Sequence, residues 1–218
     1  MLKHFEKNDK GRDFVVGDIH GCFELLKAKL LEIGFDSEVD RLFSVGDLVD
    51  RGELSTDSVK WITYSWFHAV RGNHEQMAIE YCDGIVDKQL YKWNGGQWFM
   101  DLTEPEQKCF AELFNQLPIA IEIETNNGLV GIVHAEQPFY DWNVFRESLG
   151  NLAVKESIVR RCLWNRERWK NNDLNSVDGV HKIYVGHTPV DAITELGNTV
   201  YIDTGAVFGG VLSVVQIN

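Results

Sequence analysis

The sequence is short of several things, and each shortage removes a class of protein. Its four cysteines (Cys22, Cys82, Cys109, Cys162) are scattered, with no CxxC pair. That leaves out a disulfide scaffold or a thiolate-held zinc. All four read as small buried apolar residues, kept as thiols in a reducing cytosol. No apolar run approaches the ~20 residues needed to span a bilayer. The charged start MLKHFEKNDKGRD lacks the apolar core of a secretory signal. A cytoplasmic protein without a membrane partner is therefore expected. Basic charge is also scarce: 21 Lys and Arg stand against 33 Asp and Glu, a net charge of −12. Such a balance is a poor match to tracking nucleic-acid phosphates. It leaves room for an anionic substrate, because bound cations can dominate the field inside one cleft. There is no internal repeat, low-complexity tract or linker. The 218 residues suit one domain, 1–218, able to bury roughly 70% of its unfolded surface.

What is present is a series of short apolar runs. FVVGD (14–18), LFSVGD (42–47), FHAVRGN (67–73), LVGIVHA (129–135) and KIYVGH (182–187) read as buried strands. IAIEIET (119–125) alternates as a half-exposed strand should, and the Asn-Gly of NNGL turns it into a hairpin. TVYIDTG and VLSVVQI add two more strands near the end. In CFELLKAKLLEIG a helical stripe runs through Cys22, Leu25, Leu26, Leu30 and Ile33. EPEQKCFAELFNQLP (104–118) reads as a second helix, opened and closed by proline. Strands alternating with helices, then a hairpin-rich half, predict an α/β fold of two packed sheets covered by helices. The aromatic stretch from Glu136 to Gly179 is open between core and the wall of a cleft.

The five buried strands finish alike. Their ends carry Asp18 with His20, Asp47, Asn73, His134 and His187. In open α/β sheets, ligands gather beyond the carboxyl ends of strands, where loops converge. One such residue alone is an ordinary solvated loop side chain, and Gly72-Asn73 alone is turn chemistry. Four of the seven histidines (His20, His74, His134, His187) lie at these ends, however. Hard oxygens plus imidazoles suit Mn²⁺, Fe or Zn²⁺. Two ions about 3.5–4 Å apart, with Asp47 bridging them, would form a hydrolytic centre.

GDIHG, GDLVDRG and GNHE in that order, followed by HA and GH, resemble the metallophosphoesterases of the PPP serine/threonine protein phosphatase family. SVGDLVDRG, AVRGNHEQM, WNRER and YIDTGAVF are most similar to its compact phage-lambda-type bacterial group. The resemblance implies a four-layer α/β/β/α sandwich of two mixed sheets. It implies Asp18, His20 and Asp47 on one metal, and Asp47, Asn73, His134 and His187 on the other, with Asn73 also against the substrate. A water held between the ions would lose its proton near neutral pH and attack phosphorus in line. Arg51 and Arg166 would grip the phosphoryl oxygens with forked guanidinium groups, with Arg168 a competitor for the second place. His74 would donate a proton to the leaving oxygen, oriented by Asp50. Glu75 suits the first turn of a helix through the macrodipole, with a supporting role at the site open.

The expected substrates are phosphorylated proteins or peptides carrying phosphoserine or phosphothreonine, with phosphotyrosine and phosphohistidine also open. No regulatory-subunit region is evident. The alternative within the fold is a symmetrical dinucleoside tetraphosphatase. Those enzymes typically carry Ala at the position of Asp50 and GNHD in place of GNHE. A nucleic-acid phosphodiesterase fits poorly with the acidic charge, and an inactive binding module fits poorly with a complete ligand set.

Overall fold

The computed structural model describes residues 1–151 and 153–218. The chain begins with β1 (Leu2–Phe5), β2 (Asp13–Val16), α1 (Phe23–Glu32) and β3 (Arg41–Ser44). There follow α2 (Ser58–Ile62), β4 (Phe67–Ala69), α3 (Asn73–Cys82), α4 (Lys88–Trp93), α5 (Gln97–Met100) and α6 (Glu104–Gln116). A hairpin of β5 (Ala120–Thr125) and β6 (Gly128–Val133) leads to α7 (Trp142–Ser148), α8 (Lys155–Trp164) and α9 (Glu167–Lys170). The chain closes with β7 (Lys182–Val185), β8 (Thr194–Leu196), β9 (Thr199–Tyr201) and β10 (Val214–Gln216).

The strands form two mixed sheets, ordered β1-β5-β6-β7-β9-β8 and β10-β2-β3-β4. Because side chains alternate along a strand, each sheet presents two apolar faces. Phe14 and Val16 of β2 face a cluster with Leu26, Leu30, Met77 and Phe114 from the helices on the outer side. Val15, between them, packs with Phe43, Ile121, Ile123, Val130, Ile132 and Tyr184 from both sheets. On the far side, Ile183 and Val185 of β7 meet Trp142, Phe145, Ile158 and Cys162 of the other helical layer. The result is the four-layer α/β/β/α sandwich. Parallel pairing of β2 with β3 and β3 with β4, and of β6 with β7 and β7 with β9, aligns three carboxyl ends in each sheet. Hydrogen bonds from His134 Nδ1 to Val45 O and from His187 N to Asp18 join the two sets of loops at a common edge.

Several sequence expectations need correction. Cys82 and Cys109 are exposed and Cys22 is half-buried; only Cys162 is a core residue. Cys82 and Cys109 fall on the solvent sides of α3 and α6, whose buried positions are taken by Met77, Ala78, Ala111 and Phe114. The stripe of α1 is Phe23, Leu26 and Leu30, whereas Leu25 is half exposed. β1 and β8 carry no apolar run. They pair at sheet edges, where one face sees solvent and polar residues are tolerated. Residues 136–179 divide between both readings: Trp142 and Phe145 are core, while Trp164 is exposed beside His187. Among the described residues no helix is long and apolar enough to cross a membrane.

Trp142 is the largest fully buried side chain, and its indole N–H donates to Glu122 Oε2 at 3.0 Å. The outer edge of its ring approaches Gly131 of β6, where an added Cβ would stand 2.5 Å from the ring. Gly131→Ala should therefore lower the unfolding free energy by roughly 1–3 kcal/mol through overpacking. Chemical denaturation checks this, and an unchanged midpoint would contradict the packing described.

Candidate metal centre

The loops on that edge bring together every residue the strand-end pattern singled out. Asp18, His20, Asp47, Asn73, His74, His134 and His187 are all buried. Asp47 Oδ2 is the hub: it lies 3.4 Å from His134 Nε2, 3.6 Å from His20 Nε2 and 3.8 Å from His74 Nε2. On this edge two buried groups of donors have spacings that fit a metal ion, His20–Asp47–His74 and Asp47–His134–His187. Asp18 stands outside both groups, but its carboxylate accepts the His187 backbone N–H at 3.1 and 3.2 Å.

The tautomers follow from the other ring nitrogens. His20 Nδ1 meets Val49 O and His134 Nδ1 meets Val45 O, each at 2.8 Å. His187 Nε2 meets Trp164 O at 3.3 Å. A carbonyl can only accept, so these nitrogens carry the protons and the opposite ones present lone pairs. His134 Nε2 and His187 Nδ1 each lie 2.8 Å from Asn73 Oδ1. Three lone pairs thus meet at one point with no proton between them, an arrangement a cation resolves.

Charge tells the same story. Burial drives the pKa of His20 and His187 down to about 3 and lowers that of His134, keeping all three unprotonated at neutral pH. Burial, then Asp203 and Asp47, raise Asp18 well above the carboxylate range. Asp47 is held low by His134, His74 and His20, which outweigh its burial. These donors fit divalent cations, hard oxygens and neutral imidazoles without thiolate.

The backbone is strained to achieve this. Among the described residues, six non-glycine positions have positive φ, and five are His20 (44°), Asp47 (50°), Asp50 (70°), Arg51 (70°) and His187 (63°). Such left-handed residues cost of order 1–3 kcal/mol each and cluster at working sites. Close approach is equally tight: a Cβ on Gly186 would fall 1.9 Å from Asp18 Oδ1, and one on Gly72 would fall 2.2 Å from Asp47 Oδ1.

Beside the hub, His74 Nδ1 and Asp50 Oδ2 are 2.6 Å apart and both buried. Burial opposes a proton on His74, but Asp47 and Asp50 outweigh it and its pKa lies above the ordinary imidazole value. Arg51 is exposed; its Nη1 donates to His20 Nε2 and its guanidinium lies over Phe208, 5.3 Å from the ring centre. Arg166 Nη2 donates to His187 O at 2.8 Å, at the edge of the centre. Arg168 is turned away, with Nη1 on Asn175 O at 2.6 Å and its guanidinium over Tyr140.

Three residues were not legible as site components (Glu136, Asp203 and Trp98), and Glu75, whose supporting role the sequence leaves open, takes a definite one. Glu75 is fully buried and accepts three backbone N–H groups, from Gly72 (2.7 Å), Leu48 (2.8 Å) and Asp47 (3.0 Å). It clamps the Asp47 loop to the start of α3, beyond any effect on the helix dipole. Burial and Asp47 push its pKa up to about 7 against the pull of those amides. Glu136 accepts Arg168 N–H and Asn165 Nδ2, both at 2.9 Å, and so fixes the turn that carries Arg166. Asp203 follows β9 as Asp18 follows β2; the same strand-end signal could have found it. Trp98, which donates to Asp50, left no signal in the sequence.

Each buried amide stripped of its acceptor costs about 1–3 kcal/mol. Glu75→Ala should therefore destabilise the metal-free protein by several kcal/mol, and Glu75→Gln by less, since Gln keeps one acceptor oxygen. Denaturation of both variants checks this; an Ala variant as stable as the Gln variant would contradict the clamp.

The calcineurin-like phosphoesterase profile matches residues 14–210. Serine/threonine-protein phosphatase 1 of Salmonella typhimurium is 39% identical, the match covering 94% of this chain and 91% of that protein. Serine/threonine-protein phosphatase 2 of Escherichia coli is 36% identical, covering 94% and 92%. A symmetrical bis(5′-nucleosyl)-tetraphosphatase of Neisseria meningitidis is more distant at 25%, covering 94% and 91%. The crystal structure of a cold-active protein-tyrosine phosphatase from Shewanella superposes with a TM-score of 0.63 at 15% identity, over 100% of this chain and 78% of that one. With its strand-end donors, its two-sheet sandwich and these relatives, the chain belongs to the calcineurin-like phosphoesterases.

Proposed function

We propose that this protein is a cytoplasmic phosphoprotein phosphatase, a single catalytic domain of residues 1–218 that hydrolyses phosphoserine and phosphothreonine in proteins and peptides with two divalent ions, Mn²⁺ foremost. The observation that carries this reading is the Asp50–His74 pair set 2.6 Å apart beside a hub of buried metal donors. The names of the relatives at 36–39% identity support the substrate class.

Asp18, His20 and Asp47 would hold one ion, and Asp47, Asn73, His134 and His187 the other. When bound, the ions supply Lewis acidity, which activates water near neutral pH and neutralises charge on the phosphoryl group. The remaining work belongs to the chain. Arg51 and Arg166 flank the centre and bind phosphoryl oxygens through their forked N–H groups. Asn73, at the start of α3, faces the same space. His74 Nδ1–H donates to Asp50 Oδ2, which leaves Nε2–H free to protonate the departing oxygen. Burial of this pair excludes water as a competing proton source.

A tetraphosphatase expels a nucleotide phosphate, a stable anion that needs little help from a general acid. A protein phosphatase expels an alkoxide. The Asp50–His74 pair is chemistry suited to the second case.

Phosphoserine peptides should thus be hydrolysed far faster than diadenosine tetraphosphate under the same Mn²⁺ loading; the reverse ranking would move the assignment. His74→Asn should cut kcat on a phosphoserine peptide by about 10²–10⁴-fold. Its effect on p-nitrophenyl phosphate, whose leaving group needs no proton, should be clearly smaller. Equal losses on both substrates, with metal still bound, would make His74 a charge stabiliser instead of an acid.

A further inference from the structure

Asp50 has no exposed surface, and its two oxygens are used differently. Oδ2 faces His74 Nδ1; Oδ1 accepts the indole N–H of Trp98 at 2.6 Å, with the Tyr91 hydroxyl at 3.5 Å as a weaker neighbour. Trp98 comes from α5 and Tyr91 from α4, a segment remote in sequence from Asp50. Glycine backbone seats it there. A Cβ on Gly95 (φ 98°) would lie 2.5 Å from Arg51 N, and one on Gly96 would lie 2.3 Å from the Tyr91 ring.

We propose that Trp98 is a positioning residue for the proton-donating pair: its indole N–H pins Asp50 Oδ1, so that Oδ2 keeps the His74 ring aimed at the departing oxygen. This rests on the phosphatase reading of the site. Indole is a donor only, so its N–H fixes the direction of the contact to Asp50 Oδ1, and with Trp98 in place the carboxylate is closed to solvent. A hydrogen bond to a charged acceptor is short and directional, which fits the 2.6 Å contact. Without it, Asp50 is free to rotate between His74 and Tyr91, and the imidazole loses its fixed direction. Trp98 also packs on Phe99 and Phe110. A purely structural role would rest on those rings and not on the N–H.

Trp98→Phe keeps an aromatic ring against Phe99 and Phe110 but removes the N–H together with the rest of the five-membered ring. The leaving-group bias and the double variant, and not the size of the loss, therefore separate the two roles. In the Mn²⁺-loaded enzyme it should lower kcat on a phosphoserine peptide by about tenfold, the value of one charge-assisted hydrogen bond. KM should stay unchanged and the loss on p-nitrophenyl phosphate should be smaller. Added to His74→Asn, it should cost nothing further, because the group it positions is gone. Equal losses on both substrates, or the full loss on top of His74→Asn, would overturn the proposal. A second measurement needs no turnover. In the metal-free protein, one of the seven tryptophan indole N–H resonances, identified by its absence from Trp98→Phe, should lie far downfield and move upfield in Asp50→Asn. A Trp98 resonance indifferent to Asp50→Asn would also overturn it. If the wild-type enzyme preferred diadenosine tetraphosphate to the peptide, the phosphatase reading would fail, while the resonance would still decide whether Trp98 holds Asp50.

Discussion

Buried lone pairs facing one another are the constraint that organises this molecule. Asp47 Oδ2, Asn73 Oδ1 and the unprotonated faces of His134 and His187 converge with no donor proton between them, and His20 Nε2 opens beside them with only the Arg51 guanidinium donating to it. Uncompensated, such a cluster is expensive to bury. With divalent cations it becomes a rigid, charge-matched centre. The surrounding architecture holds the acceptors in place until a cation arrives. Carbonyls of Val45, Val49 and Trp164 fix the ring orientations, Glu75 ties the Asp47 loop to α3, and the sheets deliver their carboxyl ends to one edge.

The backbone bears much of that cost. His20, Asp47, Asp50, Arg51 and His187 are held in left-handed geometry that a glycine would adopt without strain. The side chains at these positions are the ones chemistry requires, so glycine is confined to their neighbours: Gly46, Gly72 and Gly186 let the loops approach within contact. Stability is thereby traded for function at the loop edge and recovered in the three apolar layers behind it.

How much of this was legible in the sequence depends on what each residue responds to. The buried strands announce themselves as apolar runs because they are covered on both faces, and their polar ends stand out against that background. Hence Asp18, His20, Asp47, Asn73, His134 and His187 could be named as a constellation from the chain alone. β1 and β8 could not be found, since edge strands need no apolar face. The burial of Cys82 and Cys109 was misjudged because cysteine carries no sign of which side of a helix it occupies. Glu75 was legible as a helix-start acid but not as a clamp, because its partners are backbone amides. Trp98 was silent: its role lies in one N–H aimed at a carboxylate distant in sequence, and only the seating of α4 and α5 brings the two together.

Anomalous scattering from crystals of the Mn²⁺-loaded protein tests the central claim most directly. The account predicts two manganese peaks about 3.5–4 Å apart, sharing Asp47, with Asn73 Oδ1, His134 Nε2 and His187 Nδ1 around one and His20 Nε2 beside the other. A single peak, or a pair that leaves Asp47 unligated, would contradict it.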